Sequence, residues 1–396
     1  MKYEKKQIGN LVSIKQGFAI NKKTNHHMSD EPTKLHLLRI SDMKDRNFSV
    51  FVRDTIPERF IAKERDIIYT RTGQVGLVFR NQHGVVHNNC FTVTTNDESI
   101  LNQQYLYYAL QEKSFYEEAN SRATGAAQPD LSHGAFNSIE VLLPPIKTQY
   151  RIVSILDSYN GLIENNNKQI KLLEEATQRL YKEWFVDLHF PGYENVKLVD
   201  GLPEGWTYKR VSEFGEVITG KTPSTAKTEY YGGIIPFVTI PDMHGNVFPL
   251  VTDKTLTKEG ADTQKNKYLP VNSVIVSCIA TVGLVNIAVE PCQTNQQINS
   301  VVLNDNNDLY FFYESMKRIK ALLDGVGSNG ATMTNVNKTK FSNIKVLYPT
   351  ENLVMKYNEF CKPIFDKILA LSKAMLLYEQ SRDRLLPKLM SGEIEV

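Results

Sequence analysis

The sequence predicts an α+β protein in which two similar mixed α/β domains are separated by two long helices that pair as an antiparallel coiled coil, with an internal pseudo-twofold repeat. Three observations predict this. Strings in the first half return in order in the second. Each half changes near a proline from short β-rich runs to unbroken helical periodicity. The two helical stretches carry matching heptads. At 396 residues the chain has room for two or three domains, each with its own core.

The repeat spans almost the whole chain. "LLRISDM" (Leu37 to Met43) returns as "FVTIPDM" (Phe237 to Met243), and Asp242 minus Asp42 gives an offset of 200. "DIIYTRTGQVGLV" returns as "SVIVSCIATVGLV" at offset 207, and "FNSIEVLLP" as "FSNIKVLYP" at offset 205. The letters between diverge, so the halves share one architecture and differ in surface.

The domains follow in order. Residues 1–146 form the first mixed domain, with β-rich runs punctuated by Gly, Pro and Asn and interrupted by helical stretches such as "NQQYLYYALQEKSFYEEA". Residues 147–190 form the first long helix. Ile152, Tyr159, Asn166, Leu173 and Leu180 recur every seven residues, accompanied by Leu156, Ile163, Ile170, Thr177 and Trp184. Residues 191–350 form the second mixed domain, entered through a linker at 191–206. Residues 351–396 form the second helix, with Tyr357, Ile364, Leu371, Tyr378 and Leu385 beside Cys361, Ile368, Met375, Arg382 and Leu389. Pro363 lies inside that pattern and is expected to start or kink the helix. Asn166, polar on the stripe, is expected to set register. About 38 residues at about 1.5 Å each make a rod of about 57 Å, long enough to hold two domains apart. A long core helix in each domain is the alternative.

Composition excludes several classes. No apolar run reaches the roughly 18 residues of a membrane span, and "MKYEKKQIGN" lacks a signal peptide's apolar stretch, so a cytoplasmic protein without membrane contact is expected. Cys90, Cys278, Cys292 and Cys361 include no CxxC pair for zinc or redox chemistry. The net charge of +2 does not by itself announce a nucleic-acid binder. The basic residues are uneven, with 16 Lys+Arg against 9 Asp+Glu from Met1 to Arg80. A solvated surface explains that excess as well as a phosphate-binding one.

Two glycine motifs invite a nucleotide-binding enzyme. "GEVITGKT" (Gly215 to Thr222) spells a phosphate loop, yet no apolar helical stripe follows it, and the repeat matches only Gly220 to Gly17. That retained glycine reads as backbone geometry. "GVGSNG" (Gly325 to Gly330) follows a helical stretch instead of a strand. Flexible loops there and in the first copy, near Arg122 and Gln128 and near Asn329 and Lys338, could touch a DNA backbone. His83, His87 and Cys90 have a conceivable metal spacing but no counterpart in "VEPCQTNQQINSV". "LLPPIK" lacks the Asn or Asp that a base-flipping amino-methyltransferase sets before its Pro-Pro pair, and neither GxSxG nor HExxH occurs.

The strings "LLPPIKTQYRIVSILD", "RLYKEWFVDLHFPG", "GLPEGW", "ITGKTPST" and "RDRLLPKLMSGEIEV" resemble the specificity subunits of type I restriction-modification systems, over both copies and to Val396. The resemblance implies two target-recognition domains, each reading one half of a gapped sequence in double-stranded DNA. It also implies helices that dock methyltransferase subunits, and motor-nuclease subunits that join the complex. S-adenosylmethionine, ATP and magnesium are then used by those partners, with no cofactor or metal bound by this chain. Carried over, the surfaces around Arg179, Leu180, Trp184 and Phe185, and around Arg384, Leu385, Leu386 and Leu389, are expected to dock partners or pack the coil; Trp184 and Phe185 suit a core equally. The resemblance names no DNA contacts. Chemistry selects Arg39, Arg71, Arg80, Arg122 and Gln128 in the first domain and Lys221, Lys227, Lys265, Asn329 and Lys338 in the second, since Arg forks onto guanine and Lys more often meets phosphate. Each is also explained as a surface charge. The expectation is therefore a non-enzymatic DNA-recognition subunit, with a nucleotide-binding enzyme or a coiled-coil scaffold as alternatives.

Overall fold

The strings that recur in the sequence fold into the same strands with the same neighbours. The computed structural model describes residues 3–45, 47–319, 321 and 335–396. Its first compact unit comprises Met1–Leu162 and Tyr378–Val396. At its centre is an antiparallel sheet ordered Val12–Gln16, Cys90–Thr95, Ile67–Thr70, Val78–Phe79. The runs "IIYT" and "CFTV" are buried throughout because both faces of these strands are covered. Ile67, Tyr69, Phe91 and Val93 enter one core with Tyr105, Phe115 and Phe136. Ile68 and Cys90 enter another with Leu38 and Val86. Glu4–Gln7 pairs with Glu140–Leu143, and an accessory sheet contains one parallel pair, Leu35–Leu38 beside Gly84–Val86.

The second unit, Ile163–Leu377, repeats this plan. Its central sheet is ordered Gly215–Thr219, Ile298–Leu303, Val274–Ser277, Val285–Ile287. Thr207–Arg210 pairs with Lys345–Tyr348. The parallel pair also recurs, with Phe237 opposite Gln293 where the first unit sets Leu37 opposite Val85. The strings "ISDM" and "IPDM" make the same short helix (Ile40–Asp45 and Ile240–Met243), and the repeated aspartate braces both. Asp42 accepts from the Arg39 guanidinium, and Asp242 from the Thr239 amide and hydroxyl.

The two long helices run Ile146–Phe185 and Glu351–Ser391, 40 and 41 residues. Each contributes to both units. In the second, the Asn166 amide reaches the Leu371 carbonyl and the Tyr357 hydroxyl donates to the Thr177 carbonyl, so the helices are antiparallel. The first shows the same sense: Ile152 and Leu156 share a core with Leu389 and Met390, and Tyr159 meets Tyr378. Pro363 does not start the second helix, which begins at Glu351 and continues through it. The missing amide removes one ladder bond, and burial of Cys361, Phe365 and Ile368 on the adjoining turns carries the helix past.

In the second unit the helix Leu309–Lys317 is buried along nearly its whole length. It places Glu314, 3% exposed, against the first long helix, where the Thr177 hydroxyl donates to it at 2.8 Å. Burial pushes its carboxyl up to about 7 from 4.5, although the nearby Lys317 charge pulls the other way. Folding therefore favours the neutral acid. This contribution is complete below the unfolded value and is lost as pH rises through about 7. Glu314→Gln should be more stable than the parent at pH 8, by on the order of 2–3 kcal/mol, and equal to it near pH 4.5. Urea unfolding at the two pH values checks this, and identical pH slopes would show that the carboxyl is ionised in the fold.

Candidate nucleic-acid interface

The first five of the eight letters of "GEVITGKT" fold as a strand, Gly215–Thr219, paired along its length with Ile298–Leu303. No helix follows it, because Lys221 bonds back to the Thr294 carbonyl and residues 221–227 are irregular. The arrangement of strand, loop and helix N-terminus that holds a phosphate is therefore missing at this string. Gly220 has another reason to be glycine. A Cβ there would overlap the carbonyl oxygens of Thr294 and Asn295, and a Cβ on Gly17 would overlap those of Val86 and His87. Both glycines let the first strand of the sheet close against one turn.

That turn occurs once in each unit. It joins the strand of the parallel pair to the central strand, as residues 87–90 in the first unit and 295–298 in the second. Cys90 N donates to His87 O at 2.9 Å, and Ile298 N to Asn295 O at 3.2 Å. The next strand anchors it, through Arg71 N to Asn89 O at 2.8 Å and Cys278 N to Gln297 O at 2.9 Å. A second loop is pinned beside it, by Leu131 N to Arg71 O in one unit and Val336 N to Cys278 O in the other. Backbones match and side chains differ: Gln16 and Arg71 stand where the second unit has Thr219 and Cys278.

Around the first turn the sequence-selected arginines are committed to partners. Arg39 forks onto Asp42 at 2.7 and 2.8 Å and also reaches Ser49. Burial, then the Arg39 charge, lowers the His87 pKa, so that the imidazole is neutral at pH 7. Arg71 bonds Asp130 at 2.5 Å and Gln16 at 3.1 Å, and its Nε is buried without a partner. The Thr72 hydroxyl, ahead of Arg71, holds the Asp130 pKa low. Through Asp130 this group closes the loop 124–130, which displays Gln128 to solvent. Arg122 is paired with Glu118 and Ser138. Arg80 points inward: it donates to Gln104 at 2.6 Å and to Asp157 on the first long helix at 2.7 Å, and stacks on Tyr107. From there Tyr108, Asn160 and Arg382 extend the network to the second helix. Arg80 braces a domain on the helices instead of facing a ligand, because Asp157 and two tyrosines offer it a desolvated seat.

In the second unit Lys221 is exposed beside the turn, and its carbonyl accepts from Gln264. Lys227 donates to the Tyr230 hydroxyl, Lys265 lies 3.9 Å from Asp262, and Lys338, itself exposed, opens a short helix. Asn329 and "GVGSNG" lie outside the described residues. On the helices Arg179 and Arg384 are exposed, and Leu180, Trp184, Leu385 and Leu386 are half-buried. Phe185 and Leu389 are core residues at 4% and 1% exposure. The four cysteines are buried free thiols, and among the described residues no His, Cys, Asp and Glu group has a metal-ligand arrangement. The amide-rich turns escaped the sequence reading because the strings around them were aligned for metal ligands. Order within the repeat, which sets "HNN" against "NQQ", is the signal that pairs them, and their place against the retained glycines shows only in the fold.

Gly220→Ala should destabilise the second unit by about 1–3 kcal/mol, since the colliding atoms are backbone, whereas Gly134→Ala, with open space at its Cβ, should not. Thermal melts of both variants decide it. A double-mutant cycle on Arg80 and Asp157 should return a coupling of about 0.5–3 kcal/mol; additive single mutants would remove Arg80 as a brace.

Three comparisons bear on the family. A model of the type I restriction modification DNA specificity domain matches residues 1–175 and 203–353. The HindI specificity subunit of Haemophilus influenzae is 30% identical, over 84% of this chain and 87% of that protein. The MjaIX specificity subunit of Methanocaldococcus jannaschii is 25% identical, over 83% of this chain and 78% of that protein. A crystal structure of a type I restriction-modification S subunit from M. genitalium superposes with a TM-score of 0.60, covering 98% of this chain and 96% of that one. At 16% identity that likeness speaks for the fold.

Proposed function

The chain belongs to the type I restriction-modification DNA specificity family, and from that premise we propose that each of its two units reads one half of a gapped, two-part DNA sequence. It is a non-catalytic specificity subunit, so its chemistry is recognition. The observation that carries the two-part reading is the repeat itself. One backbone frame of central sheet, turn and pinned loop occurs twice, with Gln16, Arg39 and Arg71 replaced by Thr219, Thr239 and Cys278. A fixed frame with exchanged side chains suits two half-sites of different sequence, because phosphate contacts position a protein and base contacts specify.

As a specificity subunit it works within a complex that acts on DNA. We assign methyltransferase and motor-nuclease subunits as its partners, docking on helix surfaces that include Arg179 and Arg384. A net charge of +2 suits such a division of labour, with docked partners supplying much of the phosphate neutralisation. S-adenosylmethionine, ATP and magnesium serve those partners. In this chain the "GEVITGKT" strand does not fit a nucleotide. No described helix is long and apolar enough to cross a membrane, and we place the complex in the cytoplasm with its DNA.

In cells expressing the partner subunits, deleting this gene should abolish N6-methyladenine at one gapped, two-part motif and leave other methylation alone. A base-resolution methylation map reads this out. An unchanged map in those cells would sink the proposal.

A further inference from the structure

Within each turn the side chains divide the work in the same way. The first residue braces the turn: the Asn89 backbone N–H donates to His87 Nδ1 at 3.3 Å, and the Gln297 backbone N–H to Asn295 Oδ1 at 3.0 Å. The second residue is Asn88 or Gln296; Gln296 is exposed and Asn88 is half-buried. The Thr222 hydroxyl donates to Gln296 Oε1 at 2.7 Å, so the last letter of "GKT" steadies this side chain. Turn propensity explains Asn at such a position, since Asn bonds its own backbone and tolerates turn conformations. It does not explain Gln. What the two units share is a carboxamide, on a turn whose backbone is held by the glycine on one side and the neighbouring strand on the other.

A carboxamide offers one donor and one acceptor side by side. That pair matches the N6 amino group and N7 of adenine in the major groove, an edge that no other base presents. We propose that Asn88 and Gln296 are base-reading side chains, each making this paired contact to an adenine of its half-site, with Gly17 and Gly220 positioning the turns. The inference rests on the DNA-specificity reading above. It also accounts for what each glycine makes room for, and for the difference between the copies: a side chain one methylene longer on the same turn reaches a differently placed base.

The test uses the purified complex with its methyltransferase partners, on duplexes carrying the mapped site with each base pair replaced in turn. Gln296→Ala should lower discrimination about tenfold to a hundredfold at one adenine of one half-site, leaving the profile of the other unchanged. Asn88→Ala should do the same in the other half. Gln296→Glu, nearly isosteric and acceptor-only, should move preference at that position from adenine toward cytosine, whose N4 amino group it can accept. A purely structural role would not produce such a switch. Variant profiles equal to the parent's at every position would overturn the assignment, as would a uniform loss with selectivity intact. If the parent complex itself shows no base selectivity, the specificity reading falls and the inference with it.

Discussion

Everything in this protein depends on the long helices being part of the domain cores. Ile152, Leu156, Leu389 and Met390 are buried with the sheet residues of the first unit. Tyr181, Phe185, Tyr357, Cys361, Phe365 and Ile368 are buried with those of the second. Aromatic rings dominate that second contact, with Phe185 set edge-on to Phe311 and Tyr357 at centroid distances of 4.9 and 5.1 Å. Such close packing is costly to rearrange. In each unit the sheet is therefore seated on both helices in one orientation, and the turn at its end inherits that orientation.

The polar groups follow from the same constraint. Arg80, Asp157, Tyr108 and Asn160 satisfy one another at the seam between domain and helix, as buried polar groups must. Glu314 lies at the corresponding seam of the other unit, where Thr177 donates to it and burial pushes its carboxyl up to about 7. Farther along the sheet, the Gln16, Arg71 and Asp130 group spends its charges on the pinned loop. Arg80, selected for its guanidinium, is thus occupied as a brace, and a carboxamide on a held turn is better placed to meet a base. The two roles differ in desolvation. A guanidinium beside a carboxylate and aromatic rings is stabilised where it is, whereas a solvated amide on a fixed backbone loses little on exchanging water for a base edge.

Much of the fold was legible in the letters. The repeat strings foretold equivalent strands, because a short apolar run bounded by turn residues suits a strand covered on both faces. The heptads foretold two paired helices, because a stripe that recurs every seven residues has to be buried. The retained glycine was read correctly as backbone geometry, although its cause, a carbonyl from a turn about seventy residues away in sequence, was invisible. Pro363 misled as a helix start, because tertiary packing outweighs one lost hydrogen bond there.

The sequence by itself determined the architecture: two copies of one α/β domain, two amphipathic helices and a family identity carried by strings along the whole chain. These are properties of periodicity and order, which a linear string records. Only the tertiary structure decided which charged side chains face outward, what Gly17 and Gly220 make room for, and that "HNN" and "NQQ" occupy one and the same turn. Partner choice for an arginine, and the fit of a glycine, depend on atoms distant in sequence that folding brings within a few ångströms.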